Sequence, residues 1–139
     1  MTRFVAFVLL LAAVVVGIHM VVEPLYQSMD SGAGSLWDWI NWLIALAVIL
    51  GLVFSYQGKC AADASDGGVT REWVESCFHF FGFVALAMLF FWSWFDMWME
   101  AYSSTADTTA LVWLVIYVAV AVLCGSLGWK LWHADGGDE

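Results

Sequence analysis

The sequence predicts an all-α integral membrane protein: four transmembrane helices in an up-down-up-down bundle with both termini cytoplasmic. Three observations carry this. The 139 residues are 63% hydrophobic and 12% charged, with a mean hydropathy of +0.85, whereas a soluble domain carries about 25% charged residues. Apolar runs long enough to cross a bilayer occur four times, separated by short polar connections. When those runs are threaded back and forth, all 4 lysines and arginines fall on one side. One compact membrane domain, residues 1–139, accounts for the whole length.

Residues 4–22 form the first run, after Arg3, and Glu23-Pro24 marks its expected end because proline cannot continue a helix comfortably. One basic residue followed by an apolar core also has the make-up of a signal peptide. No small-x-small cleavage site follows, so the segment is read as a retained helix. A polar connection with glycine and serine, residues 25–34, comes next. Ser35 and Asp38 have capping-box spacing for a second helix over 36–56, and Trp37, Trp39 and Trp42 mark its interfacial end.

Residues 57–69, with Lys59 and the string AADASDGG, read as a flexible connection. Thr70 is the expected N-cap of the third helix, 71–100, with Glu72 and Glu75 suited to its positive dipole end. The stretch 73–100 is the one around which the chain is organised. Its centre, 77–95, carries no formal charge with His79 neutral and spans about 28 Å as a helix, close to the hydrocarbon thickness of a bilayer. Trp73 sits at one end; Trp92, Trp94 and Trp98 sit at the other with Asp96 and Glu100. Residues 101–106 form a short turn, Asp107 or Thr108 caps a fourth helix over 108–132, and an acidic tail follows over 133–139.

Arg3, Lys59, Arg71 and Lys130 lie at the two termini and in the connection between helices two and three. The positive-inside rule then places those three segments in the cytoplasm, in the inner or plasma membrane of the cell. Ala13/Gly17, Ala47/Gly51 and Ala121/Gly125 are small-xxx-small pairs that let helix backbones approach closely.

The outer end collects Glu23, Asp30, Asp38, Asp96, Glu100 and Asp107 without a base. His19 and Glu23 share one face of the first helix, and Asp96 and Glu100 one face of the third. Asp38 and Asn41 sit at the matching level of the second. His19, Glu23, Asp38, Asp96 and Glu100 are therefore the candidate metal ligands, and a transition metal is the ion such a set would take. The competing reading is that these acids cap helices and face water. At the inner end, His79 and His133 are the candidate ligands for a haem or a pigment, against a reading as interfacial histidines. No cofactor is required by the sequence.

The formal charge of −9, from 13 acidic residues, makes nucleic acid an implausible partner. It suits a basic protein at the outer face. Three cysteines without a C-x-x-C give neither a disulfide framework nor thiol-oxidoreductase chemistry. Phosphate-binding loops and a G-x-S-x-G elbow are missing as well. The only proline lies outside the apolar interiors, which argues against a self-contained channel or carrier. The surplus of aromatic residues fits packing against lipid, other chains or flat cofactors. These features lead to a non-catalytic accessory or structural subunit of a larger integral membrane complex. That complex would be of an energy-converting or oxidative kind: respiratory, photosynthetic or a membrane monooxygenase. The alternatives are a metal- or redox-cofactor-binding membrane protein using the outer cluster, and a small transporter or its membrane subunit.

Overall fold

The computed structural model describes residues 2–26, 34–65, 68–99 and 106–134. They form four helices: α1 (Thr2–Tyr26), α2 (Gly34–Asp63), α3 (Arg71–Met99) and α4 (Ala106–Ala134), each long and apolar enough to cross a membrane. In hydrocarbon every backbone N–H and C=O must be satisfied within the segment, and a continuous helix does this. Asp30, Glu100, the connections 27–33 and 100–105 and the tail 135–139 lie outside the described residues, as do the side chains of Ser35 and Asp107.

The ends of α1, α2 and α4 depart from the sequence expectation, most at the ends of α1 and α2, and α2 begins at Gly34, ahead of the expected Ser35 cap. Pro24 does not stop α1, which continues to Tyr26. Its missing N–H removes one bond in a final turn, and no turn beyond depends on it. α2 continues past residue 56 to Asp63, about two turns beyond the expected end. That extension is held by the i,i+4 pair Lys59–Asp63 and by Trp73 of α3, whose Nε1–H donates to Asp63 Oδ1 at 2.8 Å. α4 starts at Ala106, ahead of both expected caps. Thr70 does cap α3: the Trp73 N–H donates to its Oγ1 at 3.2 Å, and the Val74 N–H to its carbonyl at 3.0 Å. Gly68, at φ 68°, supplies the left-handed residue just before that cap, which a side chain would disfavour.

Consecutive helices run antiparallel. α1 lies most extensively on α4 and α2 on α3; α1 and α3 sit across one diagonal, while α2 touches α4 across the other. One end of the bundle, the Glu23 end, brings together the end of α1, the start of α2, the end of α3 and the start of α4. The opposite, Lys59 end carries Lys59, Arg71 and Lys130, with Lys130 Nζ 3.7 Å from Glu75 Oε2 across α3 and α4. Leu9, Val16, Ile44, Val48, Phe83, Phe90, Ile116 and Val120 are fully buried between the helices.

Close approaches between helices are made at glycines. A Cβ on Gly128 of α4 would lie 3.1 Å from Leu9 Cβ and 3.2 Å from the Ala6 carbonyl oxygen of α1. On Gly51 of α2 it would overlap the ring of Phe83 of α3. Of the small-residue pairs in the sequence, Gly125 faces Ala13 at 3.7 Å and Gly51 receives Phe83, whereas Gly17 faces nothing within 4 Å. Gly51→Ala is therefore expected to destabilise the bundle by about 1–3 kcal/mol through overpacking. Gly17→Ala should cause no loss. Reversible unfolding in mixed micelles measures both, and equal behaviour of the two variants would contradict this packing.

Candidate functional site

At the Glu23 end, four helices contribute to a cluster of polar and aromatic side chains. α1 supplies His19 and Glu23, one turn apart on the face that meets α2 and α4. His19 is 9% exposed, with its ring edge against Trp37 at a centroid distance of 4.2 Å and 76° between planes. Trp37 of α2 donates its Nε1–H to Glu23 Oε1 at 2.8 Å. Its indole stacks on Tyr117 of α4 at 4.4 Å and 11°. Asn41, one turn along α2 from Trp37, is buried at 3% exposure, and its Oδ1 has no hydrogen-bond partner among the described residues.

From Tyr117 the aromatic contacts continue to Trp113 at 5.6 Å, from there to Phe90 of α3 at 6.2 Å, and on to Trp94 at 5.4 Å. Trp94 meets Trp42 of α2 edge-on at 4.9 Å. The rings thus connect all four helices. Each contact of this type adds roughly 0.5–1.5 kcal/mol beyond area burial. The Glu23–Trp37 bond matters in addition because a carboxylate half-buried at a helix–helix seam needs a donor.

The predicted outer ligands separate. His19 and Glu23 join the cluster; Asp38, next to the inward Trp37, is exposed; Asp96 lines a cavity between α3 and α4. Glu100 lies outside the described residues. Among the described residues, no three His, Cys, Asp or Glu side chains come together in a group that could hold a metal ion.

At the Lys59 end, His79 is 8% exposed, with Nδ1 2.7 Å from the Glu75 carbonyl and Nε2 3.1 Å from Ser126 Oγ of α4. A neutral ring that donates Nδ1–H to Glu75 accepts from the Ser126 hydroxyl at Nε2. The same hydroxyl lies 3.1 Å from the Leu123 carbonyl, so its single hydrogen serves one acceptor at a time. An axial-ligand role for Nε2 would require that the Ser126 contact be given up. His133 is exposed, two turns of α4 beyond Ser126, with Nδ1 3.0 Å from the Trp129 carbonyl and its ring 4.3 Å from the Trp129 indole. Cys60 is exposed, Cys77 half-buried and Cys124 buried, all as free thiols.

Sequence reasoning treated Trp37 as an interfacial marker and did not single out Tyr117. One signal for Tyr117 was available: it is a ring with a polar tip inside an otherwise apolar run of α4. No family model matches the chain, and comparison with curated proteins and with solved structures likewise finds no match.

Trp37→Phe keeps the ring stack but deletes the donor to Glu23, and is expected to lower stability by about 1–3 kcal/mol. Glu23→Gln retains an acceptor for the indole and should cost less. Unfolding curves of the two variants test the order; a larger loss for Glu23→Gln would show that the bond is not what holds this end.

Proposed function

We propose that the chain is a non-catalytic structural or assembly subunit of a larger integral membrane complex of the energy-converting or oxidative kind. Its termini and its α2–α3 connection lie on the cytoplasmic side of the inner or plasma membrane. The observation that carries this reading is the distribution of buried polar residues. His19 and Asn41 lie toward the Glu23 end; Ser55, Ser76 and His79 lie toward the Lys59 end. Between the two levels the described core is apolar, with Ala12, Ala47, Val48, Phe83, Leu86, Val120 and Cys124 filling the space. A carrier needs polar groups or broken helices near the midplane, so this core stands against self-sufficient transport.

The outward surface supports the same reading. In the most apolar stretch of each span, only between 28% and 44% of the residues are buried within the bundle. Large apolar side chains are exposed on all four helices, among them Phe7, Trp39, Phe81, Trp92 and Trp129. Such faces are built to meet lipid and other transmembrane helices, and the exposed rings can pack against flat cofactors that neighbouring subunits hold. The cytoplasmic assignment rests on Arg3, Lys59, Arg71 and Lys130 at one end.

Gentle solubilisation from the native membrane followed by native mass measurement tests the assembly. A large particle containing other integral membrane chains is expected. A particle of this chain alone, at 15.4 kDa or a small multiple, would overturn the reading. Orientation is tested independently at the exposed Cys60. A membrane-impermeant maleimide should leave it unlabelled in intact cells and label it in inverted vesicles; the opposite pattern would reverse the topology.

A further inference from the structure

The seam between α3 and α4 is less closely packed than those of α1 with α4 and α2 with α3. Two cavities open along it, on the same stripe of α3 and α4, and Leu89 lines both. One, of about 530 Å³, is walled by Phe78, Ala85, Val115, Val118 and Val122, without a charged side chain. It narrows where Gly82 lets α3 approach α4; a Cβ there would come within 2.9 Å of Leu123 Cδ2. The other, of about 370 Å³, runs from Leu89 toward the Glu23 end and finishes among Ser93, Asp96, Thr108 and Thr109, between Trp92 and Trp113.

We infer that this seam is a binding site for one phospholipid with a zwitterionic ethanolamine head. From Asp96 to Phe78 the groove follows about 27 Å of helix, more than the roughly 15 Å that one leaflet contributes to the hydrocarbon core. An acyl chain lies along the apolar part, against the open side of Ala85. The mouth falls within the last turn of α3 and the first of α4, where indoles sit at headgroup depth.

The chemistry of the mouth selects the head. Asp96 is a carboxylate and no base among the described residues lines the cavity, so a primary ammonium is attracted and a net-negative head is repelled. Asp96 has an interaction within the described structure, and a carboxylate has about four acceptor positions, so one existing partner does not use up its capacity to accept from an ammonium. The hydroxyl of Ser93 is a donor of the kind a phosphate oxygen accepts from; Thr108 and Thr109 also line the mouth and already have interactions within the described structure. A choline head carries the positive charge but has no N–H to donate. A glycerol head on a phosphate leaves the anion facing Asp96 uncompensated.

The test uses the full-length chain reconstituted in nanodiscs containing equal phosphatidylethanolamine, phosphatidylcholine and phosphatidylglycerol with identical acyl chains. The protein is then extracted into mild detergent, and retained lipid is identified by native mass spectrometry. One retained ethanolamine lipid is expected, enriched about tenfold over the other two, the scale of one charge-assisted hydrogen bond. Asp96→Asn should keep a lipid in the seam but lose the head preference. Ala85→Trp, at an exposed position facing the groove, should abolish retention of all three; Val118→Trp on α4 makes the same test if the first variant does not fold. Equal retention of the three lipids by the wild type would mean unselective boundary lipid and overturn the site. So would unchanged retention in a folded groove-filling variant, or a dimer whose two copies cross-link through cysteines placed at Ala85.

Discussion

Once helices are inside a bilayer, burying their apolar faces against one another gains little, because lipid tails are as apolar as leucine. What then holds four helices in one arrangement is close contact at a few backbone approaches and a small number of polar bonds. In this chain the approaches are made where side chains are missing. Gly128 lets α4 settle on Ala6 and Leu9 of α1, and Gly51 makes the recess that the Phe83 ring occupies. These two seams organise the bundle as two tight helix pairs. The α3–α4 seam, joining one pair to the other, is left looser and carries the two cavities lined by Leu89.

The polar bonds lie near the two ends, and they have different characters. At the Glu23 end the bond between Trp37 and Glu23 is embedded in ring contacts that reach every helix. At the Lys59 end the contacts are charged and mostly exposed: Arg71 with Glu75 at 2.8 Å, Lys130 with Glu75, and Lys59 with Asp63. Exposed ion pairs contribute little each, about 0–1 kcal/mol. The Glu23 end is thus the better fixed of the two, and the geometry of His79 with Ser126 supplies the most buried polar tie at the other.

The fold class was legible because a bilayer imposes a length and a composition that few other structures meet, and the four apolar runs satisfy both. The helix ends were less legible. Proline was read as a stop at a position where only one bond was at stake. The string after Tyr56 was read as a connection although Lys59 and Asp63 could pair on a helix and Trp73 could reach back to Asp63. The close approach at Gly128 left no local mark, since its partners are the Ala6 carbonyl and Leu9 on a different helix. For the site, the i,i+4 placement of His19 and Glu23 was correct because helical periodicity fixes it. Which residues they meet depends on the order and rotation of helices around the bundle. That is why Trp37 and Tyr117 were missed as partners, and why Asp38 and Asp96, grouped with His19 and Glu23 by depth, point elsewhere.

The apolar layer through the middle of the bundle has an electrical meaning. A membrane that stores energy as a voltage holds about 2.3 kcal/mol for each elementary charge moved through 100 mV. Each added protein is a place where that store can leak. Phe83, Val48, Val120 and Leu86 are packed without a polar atom in their side chains, so between the His19 level and the His79 level the described core offers a charge only apolar surroundings, which are costly for it. A single hydroxyl or carboxylate at any of these positions would start a stepping path between the two polar levels. The core composition therefore does more than hold the helices together; among the described residues it sets an apolar layer between the two polar levels.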